Sequence, residues 1–193
     1  MSMLQDIQEV FYSQEDLAQI ANRLGHQISH DYKDRNLLIV SVLKGSVIFM
    51  ADLMRSITIP CKIDFITASS YHAGTESSGK VSVTDELSVK DVHGYDILIV
   101  EDILDTGRTL QKLSDIFNKK GAASVKICTL LDKPERRDPS VRIKPTYVGA
   151  EVRNEFVVGY GLDFDQKYRN LPFIGILKPE VYNTETQNEE ESY

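Results

Sequence analysis

The amino-acid sequence predicts an α/β fold: a central, mostly parallel sheet covered by helices on both faces. Three observations carry this expectation. Apolar runs rich in β-branched residues recur at residues 37–42, 63–67, 97–100 and 125–131, and unbroken runs of that kind mark strands buried on both faces. Segments between several of them repeat apolar residues at helical spacing, as crossover helices between parallel strands do. The last third differs, because residues 147–158 and 173–177 read as short strands with no long helix between them.

Taken in order, Val10, Phe11 and Tyr12 form a short strand. Ser13 with Asp16 three residues on resembles a helix start, and Leu17, Ile20, Ala21, Leu24 and Ile28 then share a helical face. The strand at 37–42 is followed by Lys44-Gly45-Ser46 and a helix in which Val47, Met50, Ala51 and Met54 lie on one side. After the strand at 63–67, residues 71–80 hold two glycines, two serines and a threonine with almost nothing apolar, which reads as a mobile loop. Ile97 to Val100 is a buried strand, residues 108–120 are helical through Leu110, Leu113, Ile116 and Phe117, and Gly121 is placed to end that helix. Residues 184–193 form a polar, acidic tail expected to be flexible. The expectation is one domain over residues 1–183, with a core at about 35–145 and a small hood from about 1–12 and 146–180.

The chain has 193 residues, 41% hydrophobic and 26% charged, which suits a globular domain able to bury a core. A formal net charge of -7 repels nucleic-acid phosphate over most of the surface, so a phosphate ligand needs a local basic pocket. Cys61 and Cys128 lie in apolar runs without metal or C-x-x-C spacing and read as buried thiols of a reducing compartment. No apolar run is long enough for a membrane span and the N-terminus has no signal-like pattern, so the expected location is the cytoplasm.

Ligands of open parallel sheets bind beyond the carboxyl ends of the strands, so a site is expected in the loop after Val100. The run reads Glu101-Asp102-Ile103-Leu104-Asp105-Thr106-Gly107-Arg108-Thr109. Adjacent carboxylates repel each other and give up hydration, a cost that makes sense where a hard cation or ligand hydroxyls fill the gap. Asp105 to Thr109 supply two threonine hydroxyls, a glycine for close backbone approach and the first N–H groups of a helix, the parts of an anion cup. An isolated Asp-Thr-Gly would more simply cap the helix. The whole string at a strand-to-helix junction resembles the sugar-pyrophosphate motif of the type I phosphoribosyltransferases.

Further matches resemble the hypoxanthine-guanine members of that family: Leu43-Lys44-Gly45-Ser46, Ser70-Tyr71, Lys133, and Phe156-Val157-Val158-Gly159-Tyr160-Gly161-Leu162-Asp163 followed by Arg169. The resemblance spans roughly residues 5–180. It implies the type I phosphoribosyltransferase fold, a hood over the sheet, Mg2+ as cofactor, and a homodimer or homotetramer. It implies transfer of a 5-phosphoribosyl group from 5-phosphoribosyl-1-pyrophosphate to N9 of hypoxanthine or guanine. By similarity, Glu101 and Asp102 hold the ribose hydroxyls and a metal, with Asp163 serving a second metal. Asp105, Thr106, Gly107, Arg108 and Thr109 cradle the 5-phosphate, and Asp105 transfers a proton at purine N7. Lys44, Gly45 and Arg169 hold pyrophosphate, with a cis bond expected at Leu43-Lys44. Ser70 and Tyr71 close over the site, and Lys133, Phe156, Val157 and Asp163 bind the purine.

Two other readings compete. A regulator that kept this fold would need a basic face or an added DNA-binding segment, and neither is visible in the sequence. A magnesium-dependent receiver or phosphatase-like protein would use Asp105 as phosphate acceptor, but leaves Lys44-Gly45, Ser70-Tyr71 and Phe156 without a role.

Overall fold

Ser13 ends the first strand and starts the first helix by a reciprocal cap: Asp16 Oδ2 accepts from the Ser13 N–H at 2.9 Å, and Ser13 Oγ accepts from the Asp16 N–H at 3.2 Å. Such caps stabilise a helix start by about 0.5 to 2 kcal/mol. In this computed structural model, which describes residues 2–70, 81–84 and 87–182, the cap separates β1 (Ile7–Tyr12) from α1 (Gln14–Asp31). The chain continues through β2 (Leu37–Leu43), α2 (Val47–Ser56), β3 (Lys62–Ser70), β4 (Val81–Thr84), β5 (Asp96–Leu104), α3 (Arg108–Lys119) and β6 (Ser124–Asp132). It ends in β7 (Tyr147–Glu151), β8 (Val157–Val158), β9 (Ile174–Leu177) and α4 (Pro179–Tyr182). The loop expected at residues 71–80 and the tail expected at 184–193 lie outside the described residues, as does Tyr71.

Six strands form one sheet in the order β4-β3-β2-β5-β6-β7. β3, β2, β5, β6 and β7 are parallel and β4 is an antiparallel edge. Leu98 and Val100 of β5 join the core beneath α1 and α2, while Ile97 and Ile99 join the core beneath α3. That alternation covers both faces of the sheet. A separate antiparallel sheet, ordered β1-β9-β8, pairs the N-terminal strand with the C-terminal ones.

Several boundaries differ from the sequence reading. β5 does not stop at Val100 but runs to Leu104, because Glu101, Ile103 and Leu104 continue the pairing with Thr129, Leu131 and Asp132 of β6. β7 pairs with β6, so the large sheet extends to Glu151 rather than ending near residue 145. In α2 the buried residues are Phe49, Met50 and Leu53, and Val47 and Met54 are exposed. Cys128 is buried, but Cys61 is only half-buried at the entry to β3, and both thiols are free. No helix among the described residues is long and apolar enough to cross a membrane.

Candidate active site

The strand order switches between β2 and β5: one leads outward to β3 and the other to β6 and β7. A crevice outside the carboxyl ends of the strands at such a point is the usual ligand site of an open sheet. The topology therefore brings the loop after β2 beside the loop after β5.

The Leu43–Lys44 peptide bond is cis. Ser46 is fully buried and anchors the turn into α2, its Oγ donating to the Val42 carbonyl at 2.5 Å and lying 2.7 Å from Ser41 Oγ. Gly45 has no room for a side chain, since a Cβ would fall on the Asp102 carboxylate. Gly161, at φ 104°, faces the Gly45 carbonyl just as closely. Glycine at both positions lets two loops and a carboxylate share one contact.

Glu101 and Asp102 stand at the end of β5. Burial, then the Asp102 carboxyl beside it, pushes Glu101 well above the ordinary glutamate value, and Glu101 Oε2 is buried without a hydrogen-bond partner among the described residues. Asp102 is also raised, by burial, against the opposing pull of the Ile103 N–H, which donates to Oδ1 at 2.7 Å, and of Arg169. The pair is short of positive charge or of donors. Ribose hydroxyls or a divalent cation would supply either, so these residues fit a metal that arrives with its substrate. Among the described residues no three His, Cys, Asp or Glu side chains are grouped as a metal cage.

β5 hands over to α3 through Asp105, Thr106 and Gly107. Gly107 sits at φ 80°, a left-handed turn, and has no side chain to cap α3, while Thr106 Oγ1 accepts from the Arg108 N–H at 3.5 Å. The first backbone N–H groups of α3 lack helical partners, an arrangement suited to an anion. The Arg108 guanidinium does not join them: it pairs with Asp138 at 2.5 Å.

A cavity of about 300 Å³ opens beside this turn, lined by Asp102, Asp105, Lys133, Phe156, Val157 and Asp163 among others. Lys133 is buried, and burial lowers its pKa against the partial support of Asp105. Its Nζ donates to the Glu155 carbonyl at 2.8 Å. Asp105 Oδ1 accepts from Arg136 Nε at 3.0 Å. Asp163 pairs with Arg169 at 2.7 Å, and Arg169 also donates to the Gly161 carbonyl at 2.8 Å and to Gln166 Oε1 at 3.2 Å. Lys44 Nζ reaches the same Gln166 oxygen at 3.4 Å.

The residues singled out in the sequence thus fall in adjoining places. Asp102, Asp105, Lys133, Phe156, Val157 and Asp163 share the cavity, Lys44 and Arg169 meet at Gln166, and Gly45 touches Asp102. Ser70 is the last residue of β3. Arg136 and Gln166 were not anticipated. Arg136 had a faint signal, since Lys133-Pro134-Glu135-Arg136 starts a 3-10 turn with proline in its first position. Gln166 had none: it lies in a turn where Asp165, Gln166 and Tyr168 all have positive φ. A larger cavity of about 550 Å³ lies between α1, α2 and Tyr160, but its Asp52 is already engaged by Arg55 and by the Tyr160 hydroxyl.

Comparison with known proteins converges on one family. The family model described as a phosphoribosyl transferase domain matches residues 8–165. The hypoxanthine-guanine phosphoribosyltransferase of Streptococcus pyogenes is 50% identical over 179 residues, covering 93% of this chain and 98% of its own. That of Streptococcus thermophilus is 49% identical over 178 residues, covering 92% and 97%. The crystal structure of a hypoxanthine phosphoribosyltransferase from Staphylococcus aureus superposes with a TM-score of 0.87 at 47% identity, covering 93% of this chain and 96% of that one. The chain belongs to the phosphoribosyltransferase family, within the hypoxanthine-guanine group that these relatives represent.

Proposed function

We propose that this chain is a purine salvage enzyme that transfers the 5-phosphoribosyl group from 5-phosphoribosyl-1-pyrophosphate to N9 of hypoxanthine or guanine. IMP or GMP and pyrophosphate are the products. The observation that carries the reading is the single cavity joining Asp105, Lys133 and Phe156, beside the acidic pair and the Lys44–Arg169 cluster.

In this reading N9 gives its electron pair to C1 of the ribose, and the C1–oxygen bond breaks with its pair leaving on pyrophosphate. Asp105 takes the purine N7 proton. Arg136 holds one carboxylate oxygen of Asp105, which leaves Oδ2 for that transfer. Phe156 stacks on the purine, Lys133 donates to the exocyclic O6, and the backbone of Val157 and Asp163 reads the other edge. A 6-amino purine would set a donor against the Lys133 ammonium and is rejected. Thr106, Thr109 and the backbone N–H groups of residues 105–109 hold the 5-phosphate, Arg108 by its N–H rather than its side chain. Glu101 and Asp102 hold the ribose hydroxyls, and Lys44, Gly45 and Arg169 hold pyrophosphate. Ser70 and Tyr71 exclude water from the reacting centre. Glu101 and Asp102, with Asp163, would hold magnesium, which would supply positive charge to the leaving group when bound. The enzyme acts in the cytoplasm, in keeping with its free thiols, as a homodimer or homotetramer.

The test is an assay of the purified protein with the sugar pyrophosphate, magnesium and, in turn, hypoxanthine, guanine, xanthine and adenine. Turnover of 6-oxopurines without adenine is expected, and chelation of magnesium should abolish it. Equal use of adenine would overturn the role given to Lys133, and full activity under chelation the role given to the acidic pair.

A further inference from the structure

Phe156 is 39% exposed, yet its ring is not free. Tyr182 stacks on it with ring centroids 4.9 Å apart and planes inclined by 20°. Phe164 meets it edge-on, at 5.6 Å and 88°. Phe156 lines the cavity with Lys133 and Asp105, whereas Tyr182 and Phe164 do not. The two rings therefore support Phe156 from outside, leaving its remaining surface toward the cavity.

Tyr182 is the last residue of α4, a single turn that follows β9. The base of this turn is clipped to the start of the chain: the Lys178 N–H donates to the Asp6 carbonyl at 2.9 Å, and Lys178 Nζ to the Gln5 carbonyl at 2.6 Å. Tyr182 and Phe164 pack with the buried group Val158, Tyr168, Leu171 and Leu177, and the Tyr168 hydroxyl donates to Asp6 Oδ2 at 2.8 Å. The wall behind Phe156 is thus an aromatic layer built where residues 5–6 meet the segment from 168 to 182.

Resting on the reading of Phe156 as the purine clamp, we propose that Tyr182 is a positioning residue for purine binding. The last torsion of a phenylalanine is broad, so an unsupported Phe156 ring would have to be ordered by the arriving base, at a cost in affinity. Stacked on Tyr182 and wedged by Phe164, it offers the base a preset plane. The sugar pyrophosphate does not meet this ring, so its binding should not depend on Tyr182.

The experiment measures KM for hypoxanthine, KM for the sugar pyrophosphate and kcat in four variants: Tyr182→Ala, Tyr182→Phe, Phe156→Ala, and the Tyr182→Ala/Phe156→Ala pair. Tyr182→Ala should raise the hypoxanthine KM about two- to twelvefold, the range of an aromatic pair, with the sugar-pyrophosphate KM and kcat held within about twofold. Tyr182→Phe should restore the parent values. With Phe156 already Ala, removing Tyr182 should add nothing, because its effect passes through that ring. The proposal fails if Phe156→Ala raises the hypoxanthine KM while Tyr182→Ala does not, if Tyr182→Ala raises both KM values alike, or if its effect persists without Phe156. If Phe156→Ala leaves the hypoxanthine KM unchanged, the clamp itself is refuted, and the role of Tyr182 with it.

Discussion

Asp105 stands where the two proposed substrates would meet: it follows β5, heads the turn into α3, lines the cavity with Lys133 and Phe156 and is held by Arg136. A carboxylate placed to move a proton only during reaction contributes to kcat rather than to ground-state binding. Asp105→Asn should therefore lower kcat by roughly 10²-fold or more while sugar-pyrophosphate affinity barely moves; an unchanged rate in single-turnover measurements would remove Asp105 as proton carrier. Lys133 is proposed to act on the other substrate. It is buried with its pKa lowered, and its Glu155 partner is a carbonyl that a base edge can replace or join. Lys133→Ala should raise the 6-oxopurine KM by roughly 10- to 100-fold, the worth of a hydrogen bond to a charged group, without a matching change for the sugar pyrophosphate. Both residues were legible because Asp105 sits in a contiguous string and Lys133 follows a strand directly. Arg136 and Gln166 were not, since their contacts, Arg136 to Asp105 and Gln166 to Lys44 and Arg169, depend on turns whose path no local pattern specifies.

Elements were read well where one face decides the pattern and poorly where none does. α3 buries Leu110, Leu113 and Phe117 as its spacing implies. α2 is apolar on almost every side, so periodicity could not choose its inner face, and packing against α1 selected Phe49, Met50 and Leu53. β5 was cut short because Glu101 and Asp102 interrupt the apolar run, although pairing with β6 carries the strand onward. β1 pairs with β9 across more than 160 positions, a long-range match that local sequence does not encode. One element has a titratable anchor. Asp64 of β3 is buried, which raises its pKa, but N–H groups of Val89 and Phe65 and the Ser88 hydroxyl, each donating at 2.9 Å, prevail and hold it below 3.8. It thereby pins residues 88–89 against the sheet. Because the folded value lies below the unfolded one, this contribution is complete above about pH 4 and is lost as pH falls from 3.8 through the folded value. Asp64→Asn should cost about 1 to 3 kcal/mol in urea unfolding at pH 7, and its deficit against the parent should shrink below pH 4. A deficit that stays constant with pH would show that the charge of Asp64 does not contribute.

At the scale of the molecule, a chain of net charge -7 is proposed to bind a strongly anionic sugar, and the cations near the site answer that mismatch. Lys44, Lys133, Arg136 and Arg169 gather around the crevice, where a low-dielectric wall strengthens their field. A second asymmetry lies in the apolar surface. Ile39 of β2 lies in the core beneath α1 and α2 and pairs with Ile63 of β3, and Ser41 pairs with Phe65 two residues on. Ile63 and Phe65 therefore point to the side of the sheet that α2 covers. They remain 38–39% exposed, and Val47 and Met54 of α2 remain 39–43% exposed. Large apolar side chains gathered on one side of a domain are what a subunit contact would cover. The expected homodimer or homotetramer should then depend on this face: sedimentation velocity at micromolar concentration should give a dimer or tetramer for the parent and a smaller species for the Met54→Glu/Phe65→Glu variant. A parent that sediments as a monomer would refute the assembly. A variant that keeps the parent's mass would move the contact elsewhere.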